Sequence, residues 1–208
     1  AEYAKKGLLT NFIRTCIEIL SSLPSVVVGL FGYLIFVVQF EYGFSILSGA
    51  LALTVFNLPQ MTRNVEDSLR HVHHTQREAG LALGLSRWET ILHVVIPEAL
   101  PGIVTGIVLA SGRIFGEAAA LIYTAGQSAP ALDWSNWNPL SVTSPISIFR
   151  QAETLAVHIW KVNSEGTIPD ATQVSAGSAA ILLIFILLFN LSARYIGKKL
   201  HAKMTSAA

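Results

Sequence analysis

Charge is what this sequence has least of. Asp, Glu, Lys and Arg make up 13% of its 208 residues against 52% hydrophobic ones, and the mean hydropathy is +0.53, whereas a soluble domain carries about 25% charged residues. That deficit argues against an ordinary water-soluble domain and for lipid. Cysteine is nearly absent: Cys16 stands alone, which excludes an internal disulfide and a multi-thiolate metal site. The formal net charge of +1 leaves no basic surplus to hold nucleic acid. No G-x-x-x-x-G-K-[ST] occurs, so nothing here cradles the phosphates of ATP. Internal repeats and low-complexity tracts are missing too. The first residues are not a signal peptide, because Arg14 and Glu18 interrupt what would be its apolar core. The chain opens on Ala rather than Met, and the expectation is a fragment with something upstream.

Long apolar runs are what the sequence has in quantity. Residues 23–40, 43–61, 99–123 and 174–192 each reach or exceed the roughly 18 residues a membrane-spanning helix needs. The fold class expected is therefore all-α, a polytopic bundle with four spans visible and a long loop, 62–98, between the second and third. Four spans put both ends on one side with that loop. Eleven of the fourteen Lys and Arg residues fall there, among them Arg14, Arg63, Arg70, Arg77, Arg87, Arg194 and Lys198, and the positive-inside rule assigns that side to the cytoplasm. The segment 124–173 is then an external loop.

Within the cytoplasmic loop the signals describe two helices and a turn. Val65, Leu69, Val72, Ala79 and Leu83 recur at steps of three, four and seven residues and make one apolar helical stripe. Gly84 suits the left-handed conformation that ends a helix. Ser86 with Glu89 reads as a capping box opening a second helix toward Pro97. A helical hairpin results.

The third run has two unlike faces. One stripe carries Glu98, Gly102, Gly106, Leu109, Arg113, Gly116, Glu117 and Ala120; the other carries Leu100, Val104, Ile107, Val108, Ser111, Ile114, Phe115, Ala118 and Ile122. Gly102-x3-Gly106 and Gly112-x3-Gly116 have the spacing that lets helices approach closely in lipid. Arg113 falls near mid-membrane at about 1.5 Å per residue, with Glu117 one turn on. A charge at that depth costs at least about 2.5–3.5 kcal/mol on insertion scales, so such a residue marks function by default. The i, i+4 geometry lets Glu117 neutralise Arg113 when no ligand is present, and the arginine fork suits a tetrahedral oxyanion. The plain alternative is a salt bridge pinning helices.

Two stretches resemble a known family. Glu78-Ala79-Gly80, three residues, Gly84, nine residues and Val94-Val95-Ile96-Pro97 resemble the E-A-A-x3-G-x9-I-x-L-P loop (EAA motif) of bacterial ABC importer permeases. Gly80 replaces the second Ala, which would loosen the helix by about 1 kcal/mol. The resemblance implies that Glu78, Ala79, Gly80, Gly84 and Pro97 couple this chain to a separate ABC ATPase subunit. Arg113-Ile-Phe-Gly116-Glu117 through Ala125 is similar to the R-x-x-G-E-T-A-P-L-x-x-T-A signature of PstA-type phosphate permeases. Residues 23–30 and Glu2-Tyr3-Ala4 are similar to other parts of that family. It implies about six spans in the whole protein, phosphate as substrate with Arg113 and Glu117 on its path, a PstC-type second permease subunit, and an extracytoplasmic phosphate-binding protein. Ala118 and Ala120 stand where the family has Thr and Pro.

The remaining features are quieter. The stretch 8–20, too charged to span, should lie along the lipid interface. His71, His73 and His74 lack further ligands at metal spacing and read as a solvated face. Trp134, Trp137 and Trp160 suit a membrane interface or packing within the external loop, and 145–162 has helical spacing. The reading calls for no cofactor or metal and no catalysis in this chain. Sulfate, molybdate or an amino acid as substrate, or a passive channel, are the competing readings.

Overall fold

A computed structural model describes residues 7–166 and 168–205, and in the last helix not the side chains of residues 200, 201 and 203–205. Glu2-Tyr3-Ala4, Lys5, Lys6 and the Lys203 side chain thus lie outside the described residues. The described residues are all-α. In chain order the helices are α1 (Leu8–Ser22), α2 (Ser25–Gly32) with a π-helical continuation Tyr33–Gln39, α3 (Ile46–Arg70), α4 (His74–Ala82), α5 (Arg87–Thr90), a π-helical turn Ile91–Val95, α6 (Ile96–Phe115), α7 (Ala119–Thr124), α8 (Leu155–Glu165) and α9 (Ala171–Thr205).

Among the described residues two helical stretches are long and apolar enough to cross a membrane, Arg87–Phe115 and Ala171–Lys199, and α1 with Ser25–Gln39 forms a broken pair that is so jointly. The second expected span, 43–61, lies in α3 but continues through Pro59 to Arg70. Asn57, Gln60, Arg63 and Asn64 interrupt its apolar run. The third, 99–123, is not one helix: α6 stops at Phe115 and α7 starts at Ala119.

The chain forms two compact units. One comprises the described residues up to Glu18, residues 59–112 and the chain from Leu187 on. Its core is Val72, Val95 and Ala99, with Leu69 and Ile103 against them. Here α6 lies close on α3: a Cβ added to Gly102 would sit 2.8 Å from Ser68 Oγ, and one on Gly106 2.9 Å from Asn64 Cβ. The first expected small-residue pair therefore does what its spacing suggests. Ahead of α6, the π turn shifts the hydrogen-bond register, Ile96 N–H bonding Ile91 O, just before Pro97, which has no N–H to give. Arg14 of α1 and Arg70 both pair with Glu66, at 2.5 and 2.8 Å.

The other unit holds residues 19–58 and 113–186, with Leu121, Ala125 and Val157 at its core and Leu53, Ala118 and Ile122 around them. Pro24 opens α2 in extended conformation, where its missing N–H costs nothing. The start of α3 is fully provided for: Ile46 N–H bonds Arg150 O and Leu47 N–H bonds Ile148 O, both at 2.9 Å, while Ser45 Oγ accepts Ser48 N–H at 3.2 Å. Groups that every helix start leaves unpaired are thereby satisfied. Residues 145–154 serve this purpose rather than extending a surface helix, so the helix expected over 145–162 begins only at Leu155, capped by the Thr154 hydroxyl, which accepts Val157 N–H at 3.3 Å. In the same loop Asp133 is held below the usual carboxylate range by the Ser135 hydroxyl and N–H it accepts.

Candidate functional site

The hairpin of α4 and α5 is built from local chemistry. Leu85 N–H bonds Gly80 O at 3.2 Å and Gly84 N–H bonds Leu81 O at 3.0 Å, the paired bonds of a Schellman ending, and Gly84 takes φ +83°. Ser86 Oγ then accepts Glu89 N–H at 3.3 Å while Glu89 accepts Ser86 N–H at 2.8 Å, closing the capping box that the sequence announced. Both turn positions thus behave as read.

Two features of the hairpin were not legible. The single stripe expected to run from Val65 to Leu83 is two helices, because the chain breaks over residues 71–73 to bury Val72 at 5% exposure. Arg77 seals that corner from α4, its guanidinium donating to Leu69 O at 2.7 Å and Val72 O at 3.1 Å. A cation thus meets a carbonyl of the last turn of α3 and one in the break beyond it. Gly80, expected to loosen α4, is instead buried against α5: a Cβ there would lie 2.8 Å from Thr90 Cγ2. Glu78 remains exposed, 3.6 Å from His74. It borders a cleft of about 230 Å³ with His74, Arg77, Leu81, Arg87 and Thr90. Ala79 lies beside Glu78 on the exposed side of α4, and Pro97 is the second residue of α6.

The second candidate region lies where α6 ends. Gly116 N–H bonds Arg113 O at 3.2 Å and Glu117 N–H bonds Ile114 O at 3.1 Å, a tightened last turn. The Glu117 carboxylate turns forward to accept Ala120 N–H at 3.3 Å, in the first turn of α7. The Arg113 guanidinium lies over the ring of Phe56, 4.5 Å from its centroid. Phe56 is buried at 4% exposure; Arg113 is exposed. The Arg113–Glu117 pair expected of a continuous helix is not formed, since the helix ends between them, and neither residue joins an ion pair among the described residues. Nor does the second glycine pair support a close crossing. Gly112 meets only the Asn190 side chain, at 3.9 Å, and Gly116 only its own turn. Nothing in the sequence pattern singles out Phe56, because its contact with Arg113 spans two separate apolar runs.

Helices long and apolar enough to cross a membrane, with a polar hairpin leading into the first of them, define the class as a membrane protein. The chain belongs to the family of binding-protein-dependent transport system inner membrane components, whose pattern matches residues 1–206; it is a transport subunit, not an enzyme. A relative from Bacillus subtilis (strain 168), "Probable ABC transporter permease protein YqgI", is 57% identical over 206 residues, covering 99% of this chain and 70% of its own length. The "Phosphate transport system permease protein PstA" of Yersinia pestis is 38% identical, covering 97% of this chain and 63% of itself. "PstA 2" of Mycobacterium tuberculosis (strain CDC 1551 / Oshkosh) is 36% identical over 88% of this chain and 56% of itself. The chain therefore spans less than two thirds of these two phosphate permeases. Among solved structures, the inward-facing MetNI methionine ABC transporter superposes with a TM-score of 0.67 at 18% identity, over 92% of this chain and 76% of that one, a likeness of fold.

Proposed function

We propose that this chain is the permease subunit of an ATP-driven importer of inorganic phosphate, and that Arg113 meets the anion on its way. One observation carries the reading: an exposed guanidinium with no carboxylate partner among the described residues, in the very segment that resembles the phosphate permeases. Relatives at 36–38% identity bear phosphate-transport names, which favours this anion over other solutes. Glu117, tied to Ala120 N–H, fixes the break after α6 and so holds Arg113 at a helix end, beside the path rather than as its counter-ion.

In this reading ATP is hydrolysed by a separate ABC ATPase that docks on the α4–α5 hairpin through Glu78, Ala79, Gly80 and Gly84. Pro97 starts the helix that carries the movement toward Arg113. A PstC-type second subunit closes the pathway, and an extracytoplasmic binding protein delivers phosphate. Both termini and the hairpin face the cytoplasm, as the clustering of basic residues suggests.

The test is phosphate uptake by the assembled transporter in proteoliposomes. Arg113→Gln should lower uptake about ten- to hundredfold, the worth of a charge-assisted contact, with the complex still assembling. Wild-type uptake in that variant removes the anion role. Competition by sulfate or molybdate equal to that by phosphate replaces the substrate, and flux without ATP replaces the importer by a channel.

A further inference from the structure

We propose that Phe56 is the positioning residue for the anion-contacting arginine: its ring face parks the Arg113 guanidinium, oriented and still fully charged, between transport events. This rests on the reading of Arg113 given above and concerns what holds it there. The cation lies 4.5 Å from the ring centroid, well inside the range of about 6 Å for attraction to an aromatic face. Phe56 is fixed by burial while Arg113 is not, so the ring is the rigid member and the guanidinium the mobile one.

The chemistry of the parking place matters. A carboxylate would occupy the N–H donors and cancel the charge, and an arriving oxyanion would have to displace it. An aromatic face does neither. It attracts through its quadrupole and offers no carboxylate oxygen to occupy the N–H donors. The forked donors remain free for the oxygens of a tetrahedral anion. The acid one turn on in sequence is also engaged elsewhere: Glu117 lies beyond the helix end, and its carboxylate accepts Ala120 N–H. Arrangement and break together preserve a net positive centre in an apolar setting.

Weakening the ring quadrupole without changing its shape tests this. Mono-, di- and trifluorophenylalanine are placed at position 56 in the assembled transporter, alongside Phe56→Trp and Phe56→Leu, and phosphate uptake is resolved into Vmax and KM. Uptake efficiency should fall stepwise with fluorination, stay near wild type with Trp, and drop roughly 3- to 10-fold with Leu. A merely structural ring predicts no gradient across the fluorinated series. A flat series with Arg113→Gln still inactive overturns the role of Phe56 and leaves the arginine reading standing. Arg113→Gln with full uptake overturns both. If Phe56→Leu fails to assemble, the fluorinated series decides.

Discussion

At Gly29 a methyl group has nowhere to go. An added Cβ would lie 2.8 Å from Ala120 Cα and 3.2 Å from Ala119 O, backbone atoms that cannot swing aside. Gly29→Ala should therefore destabilise by about 1–3 kcal/mol, the cost of overpacking, despite the better helix propensity of alanine. Gly177 in α9 is the control, with nothing within 4 Å of its added Cβ; Gly177→Ala should gain up to about 1 kcal/mol. Thermal unfolding in detergent measures both, and equal shifts would show that the α2–α7 contact does not matter. The same scale marks the limit of sequence reading. Arg113 and Glu117 stand out from sequence because charge in an apolar run is rare, whereas Phe56 is one aromatic among many and acquires meaning only when the chain folds it under Arg113. Gly80 shows the limit differently. Its propensity was legible and its neighbour Thr90 was not.

Elements divide by whether their causes are local. The Schellman ending at Gly84 and the capping box at Ser86 were legible since each is made by residues within a few positions of one another. The break at residues 71–73 was not, because burial of Val72 against Val95 and Ala99 overrides a stripe that would otherwise run on. The end of α6 was likewise hidden: no proline lies between Arg113 and Ala125, and α7 is set apart by packing on Gly29 and by the Glu117 cap. The hairpin itself offers a test of its joint. Gly80→Ala alone should cost about 1–3 kcal/mol, since the new methyl meets Thr90 Cγ2 at 2.8 Å. Thr90→Ser deletes that methyl while keeping the hydroxyl that donates to Ser86 O at 3.0 Å. The pair should recover most of the loss, a coupling of at least about 0.5 kcal/mol in a double-mutant cycle. Strict additivity would show that α4 and α5 do not meet at this point.

At the scale of the whole molecule, the all-α class and the membrane setting followed from composition and run length, while the length and continuity of the helices depended on contacts between runs. On the proposed reading the ATPase takes hold of the hairpin, and Glu78 tests that use. Its side chain is 72% exposed and lies 3.6 Å from His74, itself 84% exposed, so reversing its charge should alter stability by no more than about 0.5 kcal/mol. An effect on transport then reports on the partner rather than on folding. Glu78→Lys should leave unfolding of the permease unchanged while lowering the amount of ATPase that copurifies, or raising the ATP hydrolysed per phosphate imported. Ser86→Ala provides the contrast, because losing the cap costs about 0.5–2 kcal/mol of hairpin stability and should weaken coupling together with stability. If Glu78→Lys binds its ATPase and couples as the wild type does, this face of the hairpin is not where the motor docks.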